Sequence, residues 1–543
     1  MFVIDDLNYL DLYCGVTDFH INYKSHPEDR RYLCRFHPCH EILMCLYEIF
    51  EAGKKQDLTP LPHCIWSVLV LILKKAEMIK FGTSGWRAIM GEEFTFQNVR
   101  LVVQATANYL KKKFPGKRIA VVVNYDTRFL SERFAFEAAK VLSHNKIHVF
   151  LTDRDAPSQA QAYQVIKRKA QGGINFTASF NPPEYNGLKF NTETGAPALP
   201  EVTDKIEEEI KLLQKRYSFC ALYPKNEFIE KIDLQADYLA FIQKKVDFDL
   251  IRKSKIKIAV DMLYGTSREY LDEILEENEI PVEEIHAYID PYFGGISPSC
   301  SEENLGELKK LVKAKKCNLG IATDGDGDRF GVVDERGHFV IQNLILSLLL
   351  DYLVTTKNWR GGVARSVATI HLIDRIARKY NLPLYKTPVG FKFLSELFLQ
   401  KKIIFGGEES ACIAIKDHLP EKDGIFAGLL VAEMIAALGK SLSEQINDLF
   451  RKYGKRVGEQ KSIPLDVARE RKLKKLIKNP PSHLDDRKVL NIETIDGIKL
   501  DLADDDWFLL RLSGTEPLIR CYAESGSKKE VEKLMGFGLE LIS

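Results

Sequence analysis

No run of apolar residues in this 543-residue chain is long enough to cross a bilayer. The longest uncharged one, residues 64–73, stops at Lys74-Lys75, well short of the about 20 residues a spanning helix takes. It lies deep in the chain behind an acidic N-terminus, so it does not read as a signal peptide either. An excess of charge is also missing: 77 Lys and Arg stand against 76 Asp and Glu, a formal net charge of +1. Neither nucleic acid nor a membrane is expected as a partner, and any affinity for phosphate must come from a local cluster. Cysteine is scarce after Met78. Cys14, Cys34, Cys39, Cys45 and Cys64 precede it, and scattered singles such as Cys220, Cys317 and Cys412 read as reduced thiols of a cytoplasmic protein.

Residues 1–77 differ in character from the rest. Cys34-Arg-Phe-His37-Pro-Cys39-His40 offers zinc's preferred donors but lacks the paired Cys-x2-Cys spacing of common zinc modules, so no zinc site is expected there. Lys74-Lys-Ala-Glu77 is compatible with the purine-rich codons of a ribosome-binding sequence. The expectation is that the working protein starts at Met78; a peptide from residues 1–70 in the mass spectrum of native protein would overturn it.

What is present from Met78 onward is regular. The length suits three or four domains, and 45% hydrophobic with 28% charged residues is a globular composition. Strands are expected at residues 118–124, 147–152 and 172–176, with helices at 131–143 and 158–170. The pattern restarts with strand 255–261, helix 267–277, strand 285–288, helix 305–315 and strand 319–323. A third round has strand 362–367, helix 370–380, strand 402–406 and helix 426–438. Uninterrupted apolar strands alternating with amphipathic helices indicate mostly parallel sheets covered on both faces, and three such units in tandem suggest internal duplication. After the basic segment 469–478 and Pro480-Pro481, strands 489–494, 498–502, 507–512 and 519–523 and helix 528–541 form an α+β unit with an antiparallel sheet. The fold class is α/β: three tandem α/β/α domains with mixed, mostly parallel sheets, then a C-terminal α+β domain.

Five stretches are candidates to carry chemistry, each with an ordinary surface, acidic, polar, structural or glycine turn as its alternative. In Thr177-Ala-Ser-Phe-Asn-Pro-Pro-Glu-Tyr-Asn-Gly-Leu-Lys-Phe190, Asn-Pro-Pro ends the preceding strand and leaves Ser179 on a loop, its hydroxyl exposed and nearby N–H groups free to face an anion. Asp324-Gly-Asp-Gly-Asp328-Arg329 follows a strand, and alternate carboxylates on a glycine-loosened turn converge on a hard divalent cation. Glu335 falls where an EF-hand has its last ligand, but Arg329 replaces that loop's glycine and a strand leads in. Gly406-Gly-Glu-Glu-Ser410 presents acceptors and a hydroxyl suited to sugar hydroxyls. Arg511-Leu-Ser-Gly-Thr-Glu-Pro-Leu-Ile-Arg520 offers two guanidinium forks and glycine-loosened backbone, the makings of a phosphate cradle, with a structural turn as the alternative. Phe81-Gly-Thr-Ser-Gly-Trp-Arg87 opens the first domain, with Arg87 as a further anion partner.

Together and in this order, these stretches resemble the α-D-phosphohexomutase superfamily, the phosphoglucomutase and phosphomannomutase enzymes, over about residues 78–543. The resemblance implies four domains around a central cleft: 78–235 with the phosphoserine loop, 236–338 with the metal loop, 339–455 with the sugar loop and 456–543 with the phosphate loop. Residues 1–77 are then an atypical extension. It further implies that Ser179 carries a phosphoryl group and that Asp324, Asp326 and Asp328, with an oxygen on Ser179, hold Mg²⁺. Arg87, Lys189 and Arg329 would surround the transferring phosphoryl group, and Lys392 would serve as acid/base or substrate contact. Glu408 and Ser410 would bind sugar hydroxyls. Arg511, Ser513, Gly514, Thr515 and Arg520 would hold the substrate's other phosphate.

The implied activity is interconversion of sugar 1-phosphate and sugar 6-phosphate through a bisphosphate that reorients, with a sugar 1,6-bisphosphate as activator. Glucose is favoured; mannose and glucosamine phosphates stay open. The phosphosugar is the expected partner, and the protein a monomer or small homo-oligomer. The family commonly has histidine after the serine; here Phe180 stands, so either proton transfer falls to Lys189 or Lys392, or the histidine's role is not a chemical one. A metal-dependent phosphatase using the same acids and serine is the competing enzyme reading, and a phosphosugar sensor the non-enzymatic one.

Overall fold

The apolar runs after Met78 become the strands of four main sheets. A computed structural model describes residues 79–216, 226–514 and 517–543. The Cys/His-rich segment, the apolar run 64–73, Met78, Cys220 and Thr515 lie outside the described residues. The first sheet contains β1 (Trp86–Ile89), β2 (Ala120–Tyr125), β3 (His148–Thr152), β4 (Gly172–Phe176), β5 (Tyr185–Thr192) and β6 (Ile229–Ile232), in the order β1-β5-β4-β2-β3-β6. The second contains β7 (Ile258–Asp261), β8 (Val282–Ile285), β9 (Leu319–Thr323), β10 (Phe330–Asp334) and β11 (Phe339–Val340), ordered β11-β10-β9-β7-β8. The third is β13-β12-β14-β15, from β12 (Gly362–Ser366), β13 (Leu384–Thr387), β14 (Ile403–Glu408) and β15 (Cys412–Ile415).

These three sheets share one topology. In β5-β4-β2-β3, β10-β9-β7-β8 and β15-β14-β12-β13, three parallel strands are followed by an antiparallel neighbour. Each time, the site-bearing loop joins the last parallel strand to that neighbour. The equivalence is in strand order as well as in the alternation of strand and helix. The strands entering the loops are buried throughout, as a sheet covered on both faces requires. In the first domain, helices Ser131–His144 and Ser158–Lys167 both pack on β2 and β4.

The last domain is an antiparallel sheet, β16-β22-β21-β20-β19, built from β16 (Val457–Pro464), β19 (Asn491–Glu493), β20 (Ile498–Asp501), β21 (Trp507–Leu512) and β22 (Leu518–Ser525). A short hairpin of β17 (His483–Leu484) and β18 (Arg487–Lys488) lies beside it in sequence, and helix Lys528–Glu540 covers the sheet.

The structure adds elements to the sequence pattern and moves one. The expected strand at 285–288 is found at Val282–Ile285. Helix Gln342–Thr355 has apolar residues on nearly every face because it is packed between neighbours, and so shows little periodicity. Helix Gly424–Leu438 is likewise buried along most of its length, capped by Asp423, whose carboxylate accepts the Phe426 N–H at 2.8 Å. No single helix among the described residues is long and apolar enough to cross a membrane.

Candidate active site

The loops after β4, β9, β14 and β21 meet at one cavity of about 810 Å³. Its walls include Arg87 and Phe180 from the first domain, Arg329 from the second, Gly390, Glu408, Glu409, Ser410 and Lys422 from the third, and Arg511, Ser513, Gly514 and Arg520 from the last. The ring of domains closes where Gly514 meets Thr83, so tightly that a Cβ on Gly514 would lie 2.5 Å from the Thr83 hydroxyl.

Ser179 is not the exposed hydroxyl expected from its loop. It is 1% exposed, because the acidic turn of the second domain lies over it: Ser179 Oγ donates to Asp324 Oδ2 at 2.8 Å. Nor is its own N–H turned to an anion, since it donates to Thr177 Oγ1 at 2.8 Å. The residue has φ 54°, a left-handed conformation that costs a non-glycine residue roughly 1–2 kcal/mol. Arg128 holds it there. Its Nη2 donates to the carbonyls of Ser179 and Asn181, each at 2.6 Å, and its Nη1 to that of Pro182 at 2.7 Å. Asp126 lies 3.2 Å from Arg128 Nε, a buried counter-charge.

Asp324, Asp326 and Asp328 are fully buried, with ligand oxygens within 4.8 Å of one another. Two cations face them. Lys189 Nζ lies 2.5 Å from Asp326 and 2.6 Å from Asp328, and Lys422 Nζ lies 2.6 Å from Asp328. Burial, then Asp328 and Asp326, push the Asp324 carboxyl up to about 8. Burial works against the Asp328 anion too, but Lys189 and Lys422 overcome it and hold that carboxyl well below the usual range. Two buried oxygens, Asp326 Oδ1 and Asp328 Oδ1, accept no hydrogen bond. A set of hard carboxylate oxygens, two with unmet lone pairs, fits a hard divalent cation.

Phe180 is in contact with two guanidinium groups: Arg329 Cζ is 4.3 Å and Arg87 Cζ 5.4 Å from its ring centroid. Arg87 also donates to Asn181 Oδ1 at 2.8 Å. Burial and the Arg329 charge lower Arg87 to about 10, so it stays cationic at neutral pH.

In the loop after β14, Glu408 is buried and accepts the Gly390 N–H at 2.6 Å. Burial and neighbouring Glu409 raise it to about 7. Glu409 accepts from Ser366 Oγ at 2.8 Å, and Ser410 Oγ sits 3.5 Å from Cys412 Sγ. Across the cavity, Arg511 Nε donates to Asp496 at 2.9 Å and Arg520 Nη1 to Ser462 Oγ at 2.5 Å.

Of the residues singled out in the sequence, the structure brings all but two to the cavity or to the cluster beneath it. Thr515 is outside the described residues. Lys392 is the exception of substance: it is absent from the cavity wall, and the charges that reach it are those of Asp204 and Glu201 on helix Pro200–Arg216. Arg128 and Lys422 were missed. Neither stands in a recognisable motif, and the contacts that define them come from other loops.

Family models for phosphoglucomutase/phosphomannomutase α/β/α domain I, domain II, domain III and the C-terminal domain match residues 78–216, 236–337, 342–453 and 459–537. A phosphoglucomutase/phosphomannomutase of Thermococcus kodakarensis is 30% identical over 467 residues, covering 85% of this chain and 98% of its own. A Pyrococcus abyssi protein provisionally named phosphoglucosamine mutase is 32% identical over 84% of this chain and 96% of its own. Among solved structures, a provisionally named phosphomannomutase of Thermus thermophilus superposes with a TM-score of 0.75 at 30% identity, covering 86% of this chain and 99% of that one. The chain belongs to the phosphoglucomutase/phosphomannomutase family of the α-D-phosphohexomutase superfamily, whose members are intramolecular phosphotransferases.

Proposed function

We propose that this phosphohexomutase interconverts the 1- and 6-phosphates of a hexose, with glucose favoured, by way of a phosphoryl group carried on Ser179. The observation that carries the reading is the 2.8 Å hydrogen bond from the Ser179 hydroxyl to Asp324, made beside a cavity whose far wall holds Arg511 and Arg520. One end of the cavity is thus built for phosphoryl transfer and the other for a phosphate that does not react.

In the first half-reaction the O–P bond to Ser179 breaks and a bond forms to a sugar hydroxyl, whose proton is lost. The bisphosphate then reverses, and Ser179 recovers the phosphoryl group from the other end. Positioning and charge neutralisation supply most of such catalysis, and Arg87 and Arg329, both packed on Phe180, suit the equatorial phosphoryl oxygens. Asp324, Asp326 and Asp328 would hold Mg²⁺, which when bound neutralises charge on the transferring group. Lys422 is the amine that lines the cavity, and Lys189 lies beneath it between Asp326 and Asp328. Against its burial, Asp328 and Glu421 hold Lys422 cationic, well above the ordinary lysine range, so it would neutralise phosphoryl charge, and Lys189 is left as the amine for proton transfer, Lys392 being off the cavity wall. Glu408 and Ser410 would read sugar hydroxyls. Ser513, Gly514, Thr515 and Arg520 would share the distal phosphate with Arg511.

A sugar 1,6-bisphosphate would restore the phosphoserine after loss. A cytoplasmic setting goes with this reading, supported by the buried free thiols Cys300, Cys317, Cys412 and Cys521, and a monomer or small homo-oligomer would suffice for it. The test is a coupled assay with glucose, mannose and glucosamine 1-phosphates that also measures free phosphate. Sugar 6-phosphate without phosphate release is expected, and Ser179→Ala should abolish it. Turnover that survives the substitution, or release of phosphate alone, would overturn the reading.

A further inference from the structure

Arg511 is not held by its own strand alone. The β19–β20 turn, Asp496-Gly497, folds against it. Gly497 has φ +83°, and a Cβ there would lie 2.1 Å from the Leu510 carbonyl oxygen and 2.8 Å from Arg511 Cα. Only glycine allows that approach. It brings the Asp496 carboxylate beneath the guanidinium, where Oδ2 accepts Arg511 Nε at 2.9 Å. The same oxygen accepts the N–H of Val389, in the third domain, at 3.1 Å. The next N–H along, that of Gly390, goes to Glu408 Oε1 at 2.6 Å. An ion pair between Glu493 and Lys386 joins the same hairpin to β13.

We propose that Asp496 is a positioning residue that sets Arg511 for the distal phosphate and, through the Val389–Gly390 turn, couples that grip to Glu408 in the sugar loop. A guanidinium tethered at Nε keeps its two terminal nitrogens in one plane and turned outward, the geometry that a bidentate phosphate contact needs. Because one carboxylate oxygen serves both Arg511 and the turn, movement of either is felt by the other. The sugar loop and the phosphate cradle, on different domains, are then set together.

The inference rests on the mutase reading, so its test includes a measurement that needs no turnover. Inorganic phosphate binding is followed by calorimetry in the wild type, Asp496→Ala, Asp496→Asn, Arg511→Ala and the Asp496→Ala/Arg511→Ala pair. Asp496→Ala should weaken phosphate binding roughly tenfold, the scale of a hydrogen bond to a charged group. Asp496→Asn, which keeps an acceptor oxygen, should recover most of it. On the Arg511→Ala background, Asp496→Ala should change phosphate binding no further. A carboxylate that merely opposes anions predicts the reverse, so unchanged or tighter phosphate binding in Asp496→Ala overturns the proposal. Additive losses in the double variant do the same. If glucose 1-phosphate is turned over, kcat/KM losses for Asp496→Ala and Glu408→Gln should be less than additive; full additivity would refute the coupling to the sugar loop.

Discussion

Around Asp326 and Asp328 on one side, and around Glu524 and Asp506 on the other, the fold buries carboxylates beside cations. In the second group, where the last domain meets the third, every oxygen is engaged. Glu524 accepts from Arg456 Nε at 2.7 Å, Trp507 Nε1 at 2.5 Å and the His371 N–H at 2.9 Å. Asp506 accepts from Arg456 and Arg487, each at 2.9 Å, and from Ser525 at 2.7 Å. In the first group Lys189 meets one oxygen of each acid and Lys422 the same oxygen of Asp328, while the other two oxygens accept no hydrogen bond, Asp328 Oδ1 facing only Arg329 Nε at 3.9 Å. Similar burial and similar residue types thus serve different ends. A closed set of partners holds two domains together, whereas a set left open by two acceptors is shaped for something that arrives from outside.

The largest expected effect follows from the open set. Chelation of divalent metal, or Asp326→Asn, should lower mutase activity by on the order of 10³-fold. Mg²⁺ at a hundredfold excess over its Kd should stabilise the wild type by about 2.7 kcal/mol. A thermal melt that still responds to Mg²⁺ after Asp326→Asn would erase the distinction. Next comes the closed set: Glu524→Gln leaves Arg456 short of a buried partner and should cost about 3–5 kcal/mol of stability in denaturant melts, while the Mg²⁺ response persists.

A smaller effect concerns Glu408. Its folded pKa is raised to about 7 by burial and Glu409, so burying its charge costs stability above that pH, and the cost fades as pH falls toward the unfolded value. Its charged form is the better acceptor for sugar hydroxyls. The kcat/KM is therefore expected to fall as pH drops below about 7, and Glu408→Gln should remove that acid limb at a lower plateau; a limb unchanged in the variant would assign it to another group.

The smallest prediction tests the seam again. Lys499 Nζ donates to the Val367 carbonyl at 3.0 Å and meets His371 Nε2 at 2.9 Å, and burial, then Arg365, lower its pKa to about 7. Since the unfolded chain binds this proton more tightly, stability should rise with pH from about 7 toward 10.5. Lys499→Met should flatten that rise and add about 1 kcal/mol near neutrality. A rise that persists in the variant would show that the seam is not tuned by this lysine.

Strands whose burial is written as continuous apolar residues were legible: β9 and β21 fall at the expected bounds, and the helix at Ser131 begins where the pattern places it. β16 was not, because it is an edge strand with one paired side and polar residues along most of its length. The Ser179, Asp324–Asp328 and Arg511–Arg520 loops were legible because glycine, proline and repeated charge mark a loop locally. Burial of the serine was not, since what covers it comes from another domain. For the same reason a lone Arg128 or Lys422 carries no signal until the chain has folded.

Arg128 also bears on what the proposed phosphoserine asks of its loop. In each catalytic cycle the side chain at position 179 is expected to gain and lose about two negative charges. A loop shaped by that side chain would have to refold at every turnover. This one takes its shape from four backbone carbonyls gripped by a buried guanidinium, none of them part of the side chain that would carry the charge. On the proposed mechanism the backbone acts as a rigid handle, and the work of each transfer goes into moving the sugar.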